Sequence, residues 1–406
     1  MKRNLLIGQS GGPTAVINAT LAGIIRAAKT LPEFGGVYGL AHGLEGALNG
    51  EFIDLGGLTG EMLDILEKTP GAALGSSRRK LDETEYARVI EQFRAWDIGY
   101  LAYLGGNGSM WVANHLAEIA AEQDYDLQII GVPKTVDNDL PCTDHTPGYG
   151  SGARFIALAA RDAGLDLEAM QTFDDVVILE SMGRDSGWLA AASGLLKESD
   201  EDAPHLIYVP EIPFTDLQLI ADVACVHGQL GHVFVVVAEG IRDAAGEVIG
   251  RQGEKDTLGR TIHGLGSGPA MYLAGQVHQQ LGLQVRVLRP GVIGRAMSAC
   301  VSEVDREEAY RLGEAVARLL ADGESGVMVQ NTGLSPTNPY MATIPLATVA
   351  GADIKRLPRD YMDANGKMIS EAFRDYALPL IGDVQSVARL KKTNLNHRDT
   401  ESAEKR

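Results

Sequence analysis

Short apolar runs alternate with stretches of helical spacing along most of this chain. Residues 4–8 (NLLIG) form the first run; a Gly turn follows, and residues 15–28 place apolar side chains at the spacing of an amphipathic helix. Residues 100–104 form a second run, followed by Gly105-Gly106-Asn107-Gly108 and a helical stretch over 110–122. A third run, 127–132, ends at Pro133, and further strands are predicted over 175–179, 206–209 and 232–238. The last is continuously apolar, as expected of a parallel strand buried on both faces. Repeated strand–Gly turn–helix units predict an α/β fold with mainly parallel sheets covered on both sides by helices. Ligands of such sheets bind beyond the carboxyl ends of the strands. The turns at 8–13, 105–109 and 133–139 all fall there and are expected to meet at one crevice.

A length of 406 residues suffices for two domains, and 45% hydrophobic with 22% charged residues is the composition of a soluble globular protein. The formal net charge of −18 disfavours nucleic acid as a partner, since no run of five or more basic residues offers a local exception. An acidic protein that binds phosphates must gather its cations locally, which draws attention to Arg and Lys inside glycine-rich turns. The three cysteines, Cys142, Cys225 and Cys300, lack metal-type spacing and point to a reducing compartment. No apolar stretch has the length of a signal core or of a membrane span, so a cytoplasmic location and no membrane partner are expected. The segment after residue 390 is polar and expected to fray.

Candidate chemistry concentrates in the Gly- and Pro-marked turns. In Gln9-Ser10-Gly11-Gly12-Pro13-Thr14 a glycine pair lets backbone N–H groups face an anion at a helix start; the plain alternative is a tight connection. Gly105-Gly106-Asn107-Gly108-Ser109 repeats the device. Pro133-Lys134-Thr135-Val136-Asp137-Asn138-Asp139 is the densest cluster. There, one carboxylate can accept a proton from an attacking hydroxyl while its neighbour helps hold Mg²⁺, and Lys134 supplies compact positive charge. An Asx-rich turn with a solvated lysine is the alternative. Arg184, in Met182-Gly183-Arg184, can clamp a substrate phosphate or pair with Asp185 at the surface. Glu239 ends the most apolar run, where a carboxylate needs water, a cation or sugar hydroxyls. Arg78 and Arg295 are further candidate phosphate clamps. The nine histidines show no paired spacing, so neither a zinc site nor a His-centred triad is expected.

Taken together, these motifs resemble the phosphofructokinase superfamily in order and spacing over roughly residues 3–380. Residues 358–361 (PRDY) are similar to a segment of its pyrophosphate-dependent branch. The resemblance implies two Rossmann-like three-layer domains: residues 1–148 with 294–350 for the donor, and 149–293 with 351–390 for the sugar phosphate, before a polar tail at 391–406. It implies phosphoryl transfer to the 1-hydroxyl of fructose 6-phosphate, with Mg²⁺ and a homodimer or homotetramer. Carried over by residue, it makes Asp137 the base, with Lys134 and Arg78 assisting catalysis. Gly12, Gly108 and Lys134 would face the donor, and Thr135, Met182, Gly183, Arg184, Glu239 and Arg295 the sugar phosphate. Asn107 and Asp139 would lie near the metal.

The resemblance makes pyrophosphate the expected phosphoryl donor and ATP the alternative, because two donor markers conflict. Lys134 is typical of pyrophosphate users, while Gly108 stands where those relatives carry Asp and leaves room for ATP. Asn107 replaces a frequent Asp, and Val292 an aromatic or His, which keeps a longer ketose phosphate open as acceptor. Gly108, Trp111 and Val292 also motivate a rival of another class, a catalytically weak sugar-phosphate sensor; the intact Asp137 speaks for an enzyme.

Overall fold

The computed structural model describes residues 2–250, 267–332 and 342–389. Its strands are β1 (Arg3–Gln9), β2 (Phe34–Leu40), β3 (Phe52–Asp54), β4 (Ile98–Gly105), β5 (Gln128–Pro133), β6 (Val176–Ser181), β7 (Leu206–Tyr208), β8 (Val233–Ala238), β9 (Val285–Leu288), β10 (Val327–Gln330) and β11 (Ala342–Pro345). They form a seven-stranded sheet of order β11-β10-β5-β4-β1-β2-β3 and a four-stranded sheet of order β7-β8-β6-β9. All neighbours are parallel except the edge pairs β2–β3 and β10–β11. This is the predicted α/β architecture. Each strand and helix expected from the sequence is present within a few residues of its predicted ends. The patterns of β2 (FGGVYGL) and of the short β3, β9, β10 and β11 were too glycine-rich or too brief to stand out.

Both faces of the large sheet are covered. Leu5, Ile7, Ala102, Leu104, Ile130 and Val132 pack under helices Ile17–Ala28 and Glu303–Ala321, while Leu6, Leu101, Tyr103 and Ile129 face helices Glu83–Ala95 and Asn107–Glu122. The first two helices meet through glycines. A Cβ on Gly23 would sit 2.1 Å from the Tyr310 carbonyl oxygen, and one on Gly313 2.1 Å from that of Thr20, so neither position admits a larger residue at this spacing. The small sheet is buried on both sides: β6 and β8 expose no residue, as a doubly covered parallel sheet requires. The chain passes from the large sheet to the small one directly after β5, along residues 134–148. Helix Tyr149–Ala169 then starts against Asp305, whose carboxylate accepts from the N–H groups of Gly148 (2.8 Å) and Ser151 (2.9 Å). The polar tail beyond residue 389 lies outside the described residues.

Candidate active site

The turns that follow β1, β4 and β5 lie side by side because those strands are neighbours in the sheet. The chain leaves β1 for β2 on one side, whereas β4 lies on the other, so the crevice between β1 and β4 is a topological switch point, where ligands of open parallel sheets bind. The first turn and the third are joined by a buried lysine. Lys134 is 3% exposed, and its Nζ donates to the Gly12 carbonyl at 2.8 Å. Its backbone N–H bonds to the Gly105 carbonyl at 3.0 Å, tying in the turn after β4. Burial, reinforced by the Arg295 guanidinium, pulls the ammonium down to about 7.

Gly12 is crowded by cations. A Cβ there would meet Arg295 Nη1 at 2.5 Å and Arg78 Nη2 at 3.5 Å. Arg295 comes from the short helix Ile293–Ala296, and its Nε is buried with no hydrogen-bond partner among the described residues. Burial and the nearby Arg78 push its guanidinium below the ordinary value. Cations gathered this closely repel one another unless an anion lies between them, which is the signature of a phosphate site.

Asp137 stands across from this cluster. Its N–H donates to Thr135 Oγ1 (3.1 Å), and its carbonyl accepts from Ser186 Oγ (3.0 Å). Its carboxyl oxygen Oδ1 is buried without a partner among the described residues, an arrangement that costs free energy unless a ligand completes it. Burial raises the Asp137 carboxyl while Arg184, Lys134 and Arg295 oppose the rise, which moves the group toward the range of a working base. Asp139 is raised to about 6, by burial first and then by the charge of Asp137. The Asn107 amide lies 3.5 Å from the Asp139 carbonyl oxygen.

The small sheet supplies the opposite wall. Met182, Gly183 and Arg184 follow β6, and Glu239 follows its parallel neighbour β8. Gly183 has φ 118° and would clash with the Ser186 carbonyl if it carried a Cβ, and a Cβ on Gly240 would fall only 1.7 Å from the Arg184 carbonyl oxygen. Those contacts fix the Arg184 backbone. Its side chain pairs with Glu239 at 3.5 Å, while Asp185 pairs instead with Arg242 at 2.8 Å, so the simple Arg184–Asp185 surface pair is not formed. Arg184 Nη1 is another buried atom without a partner among the described residues. Burial raises the Glu239 carboxyl, with Arg184 opposing.

Gly12, Arg78, Lys134, Asp137, Asp139, Arg184, Glu239 and Arg295 therefore gather near one another beyond the strand ends. Two residues of the neighbourhood escaped sequence reading. His145 is buried between Asp144 (2.8 Å) and Glu308 (2.7 Å); burial alone would lower it, but those two hydrogen bonds raise it to about 9. The adjacent Asp-His pair was the only local hint. Lys355, which bonds into the 138–144 stretch, lies in a segment with no motif at all.

Mg²⁺ suits the oxygen donors here. Among the described residues no three His, Cys, Asp or Glu side chains form a complete cage. A magnesium ion, however, is commonly held by one or two carboxylates together with substrate phosphates. Asp139, raised by burial first and then by Asp137, provides one such carboxylate beside the Asn107 amide.

Comparison with known proteins identifies the family. The phosphofructokinase family matches residues 4–320. A pyrophosphate–fructose 6-phosphate 1-phosphotransferase of Halomonas elongata is 38% identical over 390 residues, covering 94% of this chain and 92% of that protein. A sulfofructose kinase of Alkalicoccus urumqiensis is 35% identical (88% and 91% covered), and an ATP-dependent 6-phosphofructokinase of Corynebacterium efficiens 33% (79% and 87%). The crystal structure of a pyrophosphate-dependent phosphofructokinase from Marinobacter aquaeolei superposes with a TM-score of 0.83 at 37% identity, covering 96% of this chain and 94% of that one. This chain belongs to the phosphofructokinase family.

Proposed function

We propose that this enzyme transfers a phosphoryl group from pyrophosphate to the 1-hydroxyl of fructose 6-phosphate. The observation that carries the choice of donor is Lys134, a buried ammonium placed between the Gly12 turn and Asp137. With the acceptor bound, the Asp137 carboxylate takes the proton of the 1-hydroxyl. The sugar oxygen then forms a bond to phosphorus as the bridging P–O bond breaks, and its electron pair leaves on orthophosphate. Lys134, Arg78 and Arg295 stabilise the charge on the transferring and departing phosphoryl oxygens, which is most of what such a transfer requires. Arg184 and Glu239, with Thr135, Met182 and Gly183, hold the sugar phosphate. Asn107 and Asp139 would hold Mg²⁺, which neutralises phosphate charge when bound. The exposed apolar residues Val292, Ile293 and Met297 flank Arg295 and support a homodimer or homotetramer packed over this edge.

One observation favours ATP instead. A Cβ on Gly108 would meet nothing within 4 Å, so space remains where a nucleotide donor needs it. A coupled assay with each donor decides. Turnover with pyrophosphate at saturating acceptor supports the first reading; turnover with ATP alone replaces it by the second.

A further inference from the structure

The proposed base sits on the passage between the two sheets, and the shape of that passage is fixed from outside it. The bend comes at Asn138, which separates Asp137 from Asp139 and has a left-handed backbone, φ 51°. Its side chain is fully buried and held at both ends. Nδ2 donates to the Tyr376 hydroxyl at 2.9 Å, and Oδ1 accepts from Lys355 Nζ at 3.0 Å. The same ammonium donates to the carbonyls of Thr143 (3.2 Å) and Asp144 (2.6 Å), so its three protons all have acceptors on this one stretch. It lies 5.0 Å from the centroid of the Trp188 ring. The Lys355 backbone takes part as well: its N–H donates to the Asp139 carbonyl at 2.7 Å, and its carbonyl accepts from Trp188 Nε1 at 3.1 Å. The Tyr376 hydroxyl closes the circuit by donating to the Asp144 carbonyl at 2.8 Å.

We propose that Lys355 is a positioning residue for phosphoryl transfer: it clasps residues 138–144 from outside and thereby fixes where the Asp137 and Asp139 carboxylates stand in the cleft. The inference rests on the phosphoryl-transfer reading. Lys355 reaches the stretch from beyond β11, far along the chain, and its side chain bonds neither carboxylate. It acts through the backbone and through Asn138. Neutral hydrogen bonds cannot replace the arrangement easily, because a charged donor shared among two carbonyls and an amide is stronger than its uncharged counterparts. A base displaced by about 1 Å loses on the order of 10²-fold in rate.

The test compares Lys355→Met, Lys355→Arg and Asn138→Gly with the wild-type enzyme. Glycine adopts the left-handed backbone without strain, so Asn138→Gly removes only the amide contacts. Lys355→Met should lower kcat by roughly 10²-fold with both substrate KM values within about threefold, and Lys355→Arg should recover most of the loss. Asn138→Gly should fall between them. Hydrogen exchange followed by mass spectrometry supplies a readout without turnover: the peptide over 135–146 should exchange faster in Lys355→Met, with the core strands unchanged. A wild-type rate of zero with either donor would overturn the function while leaving the exchange result to judge the clasp. Should Lys355→Met fail to fold, Asn138→Gly decides. An unchanged kcat in a folded variant, a loss confined to KM, or unchanged exchange over 135–146 would overturn the proposal.

Discussion

The large sheet meets the cleft mainly with backbone and small residues: Gly11, Gly12 and Gly105 to Gly108, stitched together by Lys134 bonds to the Gly12 and Gly105 carbonyls. The small sheet meets it with long charged side chains, Arg184 and Glu239, whose own backbones are fixed by the close packing of Gly183 and Gly240. Between them runs the stretch that bears Asp137. On the proposed function, the difference follows from what each wall would grip. A polyphosphate offers many equivalent oxygens, suited by backbone N–H groups and pooled cations. A sugar phosphate has one charged end and several hydroxyls, suited by one fork-shaped cation beside one carboxylate. The two walls should therefore fail differently when altered.

Removing the group between the walls has the largest expected effect. Asp137→Ala should lower kcat by about 10³-fold or more at nearly constant KM for either substrate, measured by steady-state kinetics. A loss below tenfold would assign the base elsewhere. Next comes the donor wall. Lys134→Met should reduce kcat/KM for pyrophosphate by roughly 10²-fold. The charge itself can be followed by pH. Because burial holds the free ammonium near 7, its positive form dominates below that value and is lost above it. The kcat/KM for pyrophosphate should thus decline as pH rises through about 7, and Lys134→Arg, which stays charged, should remove that limb. A limb that persists in the arginine variant belongs to another group.

On the acceptor wall, Arg184→Ala should raise the KM of the sugar phosphate by about 30-fold and leave that of the donor within twofold, since Glu239 then lacks its cation. Equal changes in both constants would erase the distinction between the walls. Gly108→Asp should have the smallest effect with pyrophosphate, less than about threefold, while abolishing whatever turnover ATP supports. Its open surroundings make the fold indifferent to the change, and surface substitutions typically stay within about 0.5 kcal/mol. Thermal denaturation alongside the assay checks this.

The same contrast explains what sequence reading reached. The donor turns were legible because a glycine pair directly after an apolar run is a local signal, and neighbouring parallel strands oblige such turns to adjoin. Arg184 and Glu239 were legible as residues, but their pairing was not: nothing in the spacing shows that β6 lies beside β8. Arg295 against Gly12 is a contact across most of the chain, and no periodicity encodes it. Lys355 and Tyr376 were invisible for the same reason, since their importance lies wholly in which distant carbonyls they reach. His145 read as one of several scattered histidines until its flanking carboxylates were placed.

The order of strands in the large sheet also governs how this protein is born. β5 pairs with β10, which belongs to a part of the chain made roughly 190 residues later, on the order of 10–40 s at ordinary translation rates. During that interval the nascent sheet shows an unpaired edge, and the helix Ile17–Ala28 waits for the glycine-notched surface of Glu303–Ala321. A ribosome-bound chain arrested before residue 327 should thus be a far better chaperone client than one released at full length.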